Sequence, residues 1–296
     1  MKRNYNKELR ILRIFNPFIS KTLIPIFDFF LSMSIKNLKN DKELTVSKFK
    51  VKSFDDYEVK VYGFFPREKT DKSIIYFHGG AFYMKGSPYQ YNLVRKYAKE
   101  ANINAFFVDY RLSPKHKYPV PVLDALAVYK WLISKKEEFG IDPYKIGVGG
   151  DSAGGSIATS LSIKIKEENL IMPKFQMLIY PVLDDKMNTN SMKEFWNTPM
   201  WNGRLNKQMW EYYLADVPYK SPFENVVNVP TYVEVTEYDC LRDEGINYYN
   251  LLCEKNIQAF LNETKGTMHG YDILYKTQIA KENIKKRIDF ISSIFK

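Results

Sequence analysis

Apolar strand-like runs alternating with helical segments over residues 73–295 predict an α/β fold: a mostly parallel central sheet with helices on both faces. Three observations carry this reading. Continuous apolar runs, SIIYF at 73–77 and INAFFVDY at 103–110, suit strands buried on both sides. The segments between them place apolar residues at steps of three and four, as in Val122, Leu126, Tyr129 and Ile133. The run KIGVGGDSAGGS at 145–156 then compresses a strand, a very sharp turn and a helix into one motif.

The elements follow in order. Lys2, Arg3, Lys7, Arg10 and Arg13 precede an apolar segment at 22–35, which superficially resembles a signal peptide. Pro17, Lys21, Pro25 and Asp28 interrupt it and no A-x-A-like site follows, so one or two amphipathic helices packed on the body are predicted. Peripheral membrane contact by this segment is the alternative, since it is too short and interrupted to span a bilayer. Residues 45–66 alternate around Asp55-Asp56 as a hairpin. A strand at 73–77 ends in His78-Gly79-Gly80-Ala81-Phe82, and a helix at 89–100 leads to the strand at 103–110. A long helix at 119–138, the strand of the glycine motif, its helix to about 168 and a strand at 175–180 come next. Residues 185–225 break the alternation; they are polar, contain prolines, and hold Trp196, Trp201 and Trp210. Strand 231–237, helix 241–254, strand 257–263 and helix 273–295 complete one domain, 1–296, carrying one insertion.

Composition narrows the function classes. The 296 residues are 45% hydrophobic and 26% charged, ordinary for a globular protein. The net charge of +10 comes from lysines scattered among acids, with no basic run interleaved with aromatics, so no nucleic-acid surface is expected. If Cys240 and Cys253 both lie on the helix read from Leu241 onward, they stand roughly 20 Å apart at 1.5 Å per residue, too far for a disulfide. No Cys/His cluster has metal-ligand spacing, and a cytoplasmic location is expected.

The chemistry centres on Gly150-x-Ser152-x-Gly154. A serine on a strained strand-to-helix turn is held as a nucleophile, and glycines two residues either side let strand and helix pass closely. A dinucleotide-binding loop would need glycine at 152, after Gly147 and Gly149, so that alternative fails. Of the three histidines, His78 lies inside a glycine turn and His116 in a lysine-rich loop. His269 follows the last strand, where a loop reaches the elbow, and is the expected base. The orienting acid should follow a strand between the two, which fits Asp239; Asp243, a turn into the next helix, is the second choice. Backbone N–H groups of Gly79, Gly80 and Ala153 are the expected oxyanion donors.

With these residues in view, the sequence resembles the hormone-sensitive-lipase branch of the α/β-hydrolases, bacterial carboxylesterases that include acetyl esterases. The matching segments are His78-Gly79-Gly80-Ala81-Phe82, DYRLSPKHKYPVPVLDALAVYKWL from Asp109, GDSAGG from Gly150, SPF from Ser221, DCLRDEG from Asp239, and His269-Gly270-Tyr271. The resemblance implies Ser152, Asp239 and His269 as a triad, and Gly79, Gly80 and Ala153 as the oxyanion hole. It also implies a helical cap formed from 1–44 and 185–225. Departures are Lys115 where the family usually has glutamate, Ala81 for the third glycine, Ser156 for asparagine and Cys240 for proline. The expected enzyme is a cofactor-free, metal-free serine esterase whose partner is a small-molecule ester, with a homodimer left open. Bulky Phe82, Tyr83, Trp196, Trp201 and Trp210, joined by Phe195, Tyr212 and Tyr213, predict a shallow pocket for acyl chains of about two to six carbons. The competing reading of these aromatics is that they only pack the cap. An amidase, a longer-chain lipase or a non-catalytic binding member are the rival functions.

Overall fold

A computed structural model describes residues 3–14 and 42–296. Eight strands form one sheet in the order β1-β2-β4-β3-β5-β6-β7-β8. They are β1 Leu44–Lys52, β2 Glu58–Pro66, β3 Ser73–Phe77, β4 Asn104–Asp109, β5 Ile146–Asp151, β6 Gln176–Ile179, β7 Thr231–Tyr238 and β8 Ala259–Met268. β1 pairs antiparallel with β2 and β2 with β4, whereas β4, β3, β5, β6, β7 and β8 run parallel. The helices are α1 Pro88–Glu100, α2 Val120–Ser134, α3 Lys136–Phe139, α4 Ala153–Glu167, α5 Asn190–Glu194, α6 Gly203–Tyr213, α7 Arg242–Glu254 and α8 Gln278–Ser293.

Period-two alternation sends neighbouring residues of one strand into different cores. Ile75 and Phe77 of β3 join Val122, Ile157, Leu161 and Leu252 on the face covered by α2, α4 and α7. Ile74 and Tyr76 join Val94, Ile284 and Ile288 on the face covered by α1 and α8. A strand sandwiched this way must be apolar throughout, and all five residues of β3 are buried.

Several boundaries depart from expectation for identifiable reasons. The predicted helix 119–138 breaks at Lys135, whose N–H bonds carbonyls of the preceding turn, and α3 stops at Gly140 with φ +64°. The predicted helix 273–295 is a 3-10 turn, Tyr271–Leu274, followed by α8. β8 runs five residues beyond the predicted 263, through polar residues that a sheet edge leaves partly exposed. That extension delivers the chain directly to His269.

The insertion 185–225 contributes α5 and α6 rather than strands. At the N-terminus, Lys7–Ile14 forms a 3-10 helix that buries Leu9 and Leu12. Asn6 N–H donates to the Gly266 carbonyl, and Glu8 accepts the N–H groups of Gln278 and Ile279 at the start of α8. The Arg3 guanidinium lies 5.2 Å from the Phe195 ring, joining this segment to the insertion. The remainder of the predicted N-terminal helices, 15–41, falls outside the described residues. Among the described residues, no helix is long and apolar enough to cross a membrane.

Candidate active site

β5 brings Ser152 to the carboxyl edge of the sheet, and the turn there is as tight as the glycines suggest. A Cβ at Gly150 would lie 2.4 Å from the Gly154 backbone, and one at Gly154 2.0 Å from the Phe77 carbonyl. Ser152 itself holds φ +54°, ψ −118°. A non-glycine residue in that region costs on the order of 1–3 kcal/mol, which the surrounding contacts must offset. Ser152 N–H donates to the Ile179 carbonyl at 2.8 Å, and its carbonyl accepts from Val182 N–H at 3.1 Å.

The structure brings three of the expected side chains together. His269 Nε2 lies 2.9 Å from Ser152 Oγ, and His269 Nδ1 lies 2.8 Å from Asp239 Oδ2. Asp239 is fully buried; it accepts from Thr236 Oγ1 at 2.8 Å and from Leu241 N–H at 3.0 Å. These donors orient the carboxylate so that one oxygen faces the imidazole. Asp243 is employed elsewhere, accepting from Ser191 N–H in the insertion and from Arg242 Nε. Ser191 Oγ also donates to the Cys240 carbonyl, and both cysteines are free. His78 is buried, stacked 4.4 Å from Tyr110, with Nδ1 2.7 Å from the Gly79 carbonyl. Burial holds its pKa below the usual histidine value, so it stays neutral within the glycine loop. His116 sits against Tyr57, 6.3 Å between ring centroids.

The glycine loop holds the first two expected donors, Gly79 and Gly80, in different settings. Gly79 lies against the Asp151 carboxylate: a Cβ there would be 2.4 Å from Asp151 Oδ2, and the Gly79 backbone N–H favours the ionised carboxylate. Asp151 also accepts from Gln90 Nε2 at 2.7 Å and Tyr76 Oη at 3.0 Å. Burial, then the nearby charge of Asp272, pushes its pKa up to about 6. Gly79 is therefore tied back into the body, while Gly80, Ala81 and Phe82 turn through φ +125°, +55° and +61°. Among the described residues no backbone carbonyl accepts from the Gly80 or Ala81 N–H; the loop is closed by Tyr83 and Met84 N–H groups on the Gly80 carbonyl. Ser113 N–H donates to the Phe82 carbonyl at 2.8 Å, so the RLSP segment props this loop. Ala153 opens α4, where an N–H has no intrahelical acceptor.

The aromatics sort into two groups. Phe82 stacks on Tyr213 with centroids 3.6 Å apart, Trp210 lies 6.0 Å from Phe82, and Tyr83 meets Tyr212 edge-on at 5.8 Å. Trp201 lies 6.0 Å from His269, its indole N–H bonded to Asn206 Oδ1. Trp196 is 44% exposed and packs on Gly203, on the outer side of the insertion. One close neighbour went unanticipated: Tyr180 presents its ring edge-on to His269 at 4.7 Å. Its position before Pro181, at the end of an apolar strand, was the only available hint.

Comparison with known proteins identifies the family. A family model described as alpha/beta hydrolase fold matches residues 74–273. Esterase LipI of Mycobacterium tuberculosis is 30% identical over 215 residues, covering 70% of this chain and 67% of that protein. Ethyl acetate hydrolase of Pseudomonas putida is 28% identical, covering 67% of this chain and 65% of its own length. The chain thus spans about two thirds of these relatives. Among solved structures, a bacterial heroin esterase superposes with TM-score 0.86 at 27% identity, over 99% of this chain and 98% of that one. The elbow, the glycine loop and these relatives, themselves carboxylic ester hydrolases, place the chain in the α/β-hydrolase family, on its hormone-sensitive-lipase-like carboxylesterase branch.

Proposed function

We propose that this protein is a serine carboxylesterase for short acyl esters, with Ser152 as nucleophile, His269 as base and Asp239 as orienting acid. The observation that carries the reading is the 2.9 Å approach of His269 Nε2 to Ser152 Oγ with Asp239 on the opposite ring nitrogen. Ser152 Oγ attacks the ester carbonyl as His269 takes its proton, and the imidazolium then protonates the departing alcohol. Asp239 keeps the hydrogen on Nδ1, leaving Nε2 free to accept. The N–H groups of Gly80, Ala81 and Ala153 receive the developing oxyanion, with Gly79 acting as the tether to Asp151. Water activated by His269 then releases the acid. The described part of the N-terminal segment, 3–14, and the insertion 185–225 act as a cap, supported by Trp201 beside His269 and by Arg3 on Phe195.

Replacing Ser152 by alanine should reduce p-nitrophenyl acetate turnover to near background with an unchanged circular dichroism spectrum. A serine-directed phosphonate should label the wild type once, at Ser152; an active Ser152→Ala protein overturns the mechanism.

Short acyl preference rests on the stack of Phe82 on Tyr213 beside the oxyanion loop, with Trp210 close by. A methylene gains about 0.8 kcal/mol only where it finds buried apolar surface, and rigid rings yield little extra room. The names of the relatives, ethyl acetate hydrolase and heroin esterase, point the same way. Across a p-nitrophenyl ester series kcat/KM should peak between about two and six carbons; a maximum at ten or more contradicts the closed pocket.

A further inference from the structure

We infer that Tyr180 is a positioning residue for the proposed base, and that a buried ion cluster on the C-terminal helix holds it in place. The inference rests on the reading of His269 as base and adds what fixes its imidazole. Tyr180 Oη donates to Asp272 Oδ1 at 2.6 Å, and its ring stands edge-on to His269 at 4.7 Å. Asp272 lies three residues after His269, in the 3-10 turn Tyr271–Leu274. Its other oxygen accepts from Arg287 Nη1 of α8 at 2.7 Å. Arg287 also grips Glu234 of β7, Nη2 to Oε1 at 2.6 Å and Nε to Oε2 at 3.0 Å. Arg287, Glu234 and Asp272 are all fully buried.

Stability alone gives little reason for such a cluster. Taking three charges out of water is costly, and well-packed apolar replacements of buried ion clusters are often neutral or stabilising. What charged, forked hydrogen bonds supply is directional restraint. Here the restraint leads from α8 through Asp272 to both sides of His269: along the chain to its own turn, and through Tyr180 to its ring. A base displaced by about 1 Å loses on the order of a hundredfold in rate, so fixing this ring has a catalytic consequence.

The test separates rate from folding in the full-length protein. Tyr180→Phe removes one hydroxyl and keeps the ring; it should lower kcat about tenfold, with KM on p-nitrophenyl acetate within about twofold. Rates are taken per active site, titrated with a phosphonate. The downfield proton NMR resonance of His269 Nδ1–H should broaden in this variant as the ring gains freedom. The triple replacement Glu234→Leu, Asp272→Leu and Arg287→Met also strips partners from buried Tyr271, Tyr97 and Asn262, so Tm should fall with it while kcat per active site falls about ten- to a hundredfold; wild-type kcat per active site there removes the cluster's part. Wild-type kcat per active site and an unaltered His269 resonance in Tyr180→Phe overturn the positioning role, whatever the triple variant does. Should His269→Ala retain full ester turnover, the parent assignment of the base fails instead, and this inference with it.

Discussion

Asp239 and Asp243 lie four residues apart on one loop-to-helix segment, and their partners give them different work. Asp239 is fully buried with one oxygen on the imidazole, whereas Asp243 ties α7 to the insertion through Ser191. Asp239→Asn should therefore cost on the order of 10⁴ in kcat, because an amide stabilises the wrong imidazole tautomer. Asp243→Asn should leave kcat within about tenfold, since a neutral amide still accepts from Ser191 N–H. Steady-state kinetics of the two proteins decide it, and the reverse ranking would reassign the acid. Positions, as opposed to roles, were legible in the sequence where a motif constrains the backbone. Ser152 and Gly154 could be read because only certain residues survive that turn. The closeness of Gly79 to Asp151, at the end of the neighbouring strand, could not be read from the sequence, because it depends on which strands pair. Tyr180 and Arg287 were invisible for a related reason: their function lies in a partner 92 residues or 15 residues distant, Asp272, not in any local pattern.

At the scale of elements, the strands most deeply buried were the easiest to delimit, because apolar composition there is dictated from both faces. β3 matches its predicted bounds, while edge strand β8 runs past the predicted end at 263 through Thr264, Lys265 and Gly266, which break the apolar pattern. Helix ends were less legible where capping involves distant chain. The start of α8 receives the Glu8 carboxylate, which sits favourably at a helix N-terminus. The 3-10 helix Lys7–Ile14 thereby serves the body as a brace on α8, and Leu9 and Leu12 are buried beneath it. Deleting residues 1–14 exposes those leucines' contacts, each worth about 1.5–3 kcal/mol. The truncated protein should show a lower Tm and reduced kcat/KM, with far-ultraviolet dichroism retained; unchanged Tm and kinetics would remove the brace.

For the whole molecule, the pH response is carried by buried groups more than by the exposed lysines behind the net charge of +10. Asp151 is the clearest. Its carboxyl titrates at about 6 in the folded protein against a usual 3.8, so the folded state holds that proton more tightly than the unfolded one. Its contribution should thus favour folding increasingly as pH falls from about 6 towards 4, and Asp151→Asn should flatten that part of the stability profile measured by urea melts. Protonation also weakens acceptance from Gly79 N–H and Gln90, so esterase activity should decline through the same range in the wild type. The order of the sheet carries one more consequence, for biosynthesis. Ser152 and the glycine loop belong to β5 and β3 at the sheet centre, while His269 follows the edge strand β8 and Arg287 lies on α8, the last helix described. On the ribosome the proposed nucleophile and oxyanion loop are complete more than a hundred residues before the proposed base, His269, emerges. A nascent chain can therefore fold much of its sheet around an inert serine, and hydrolysis begins only when the last strand and helix dock.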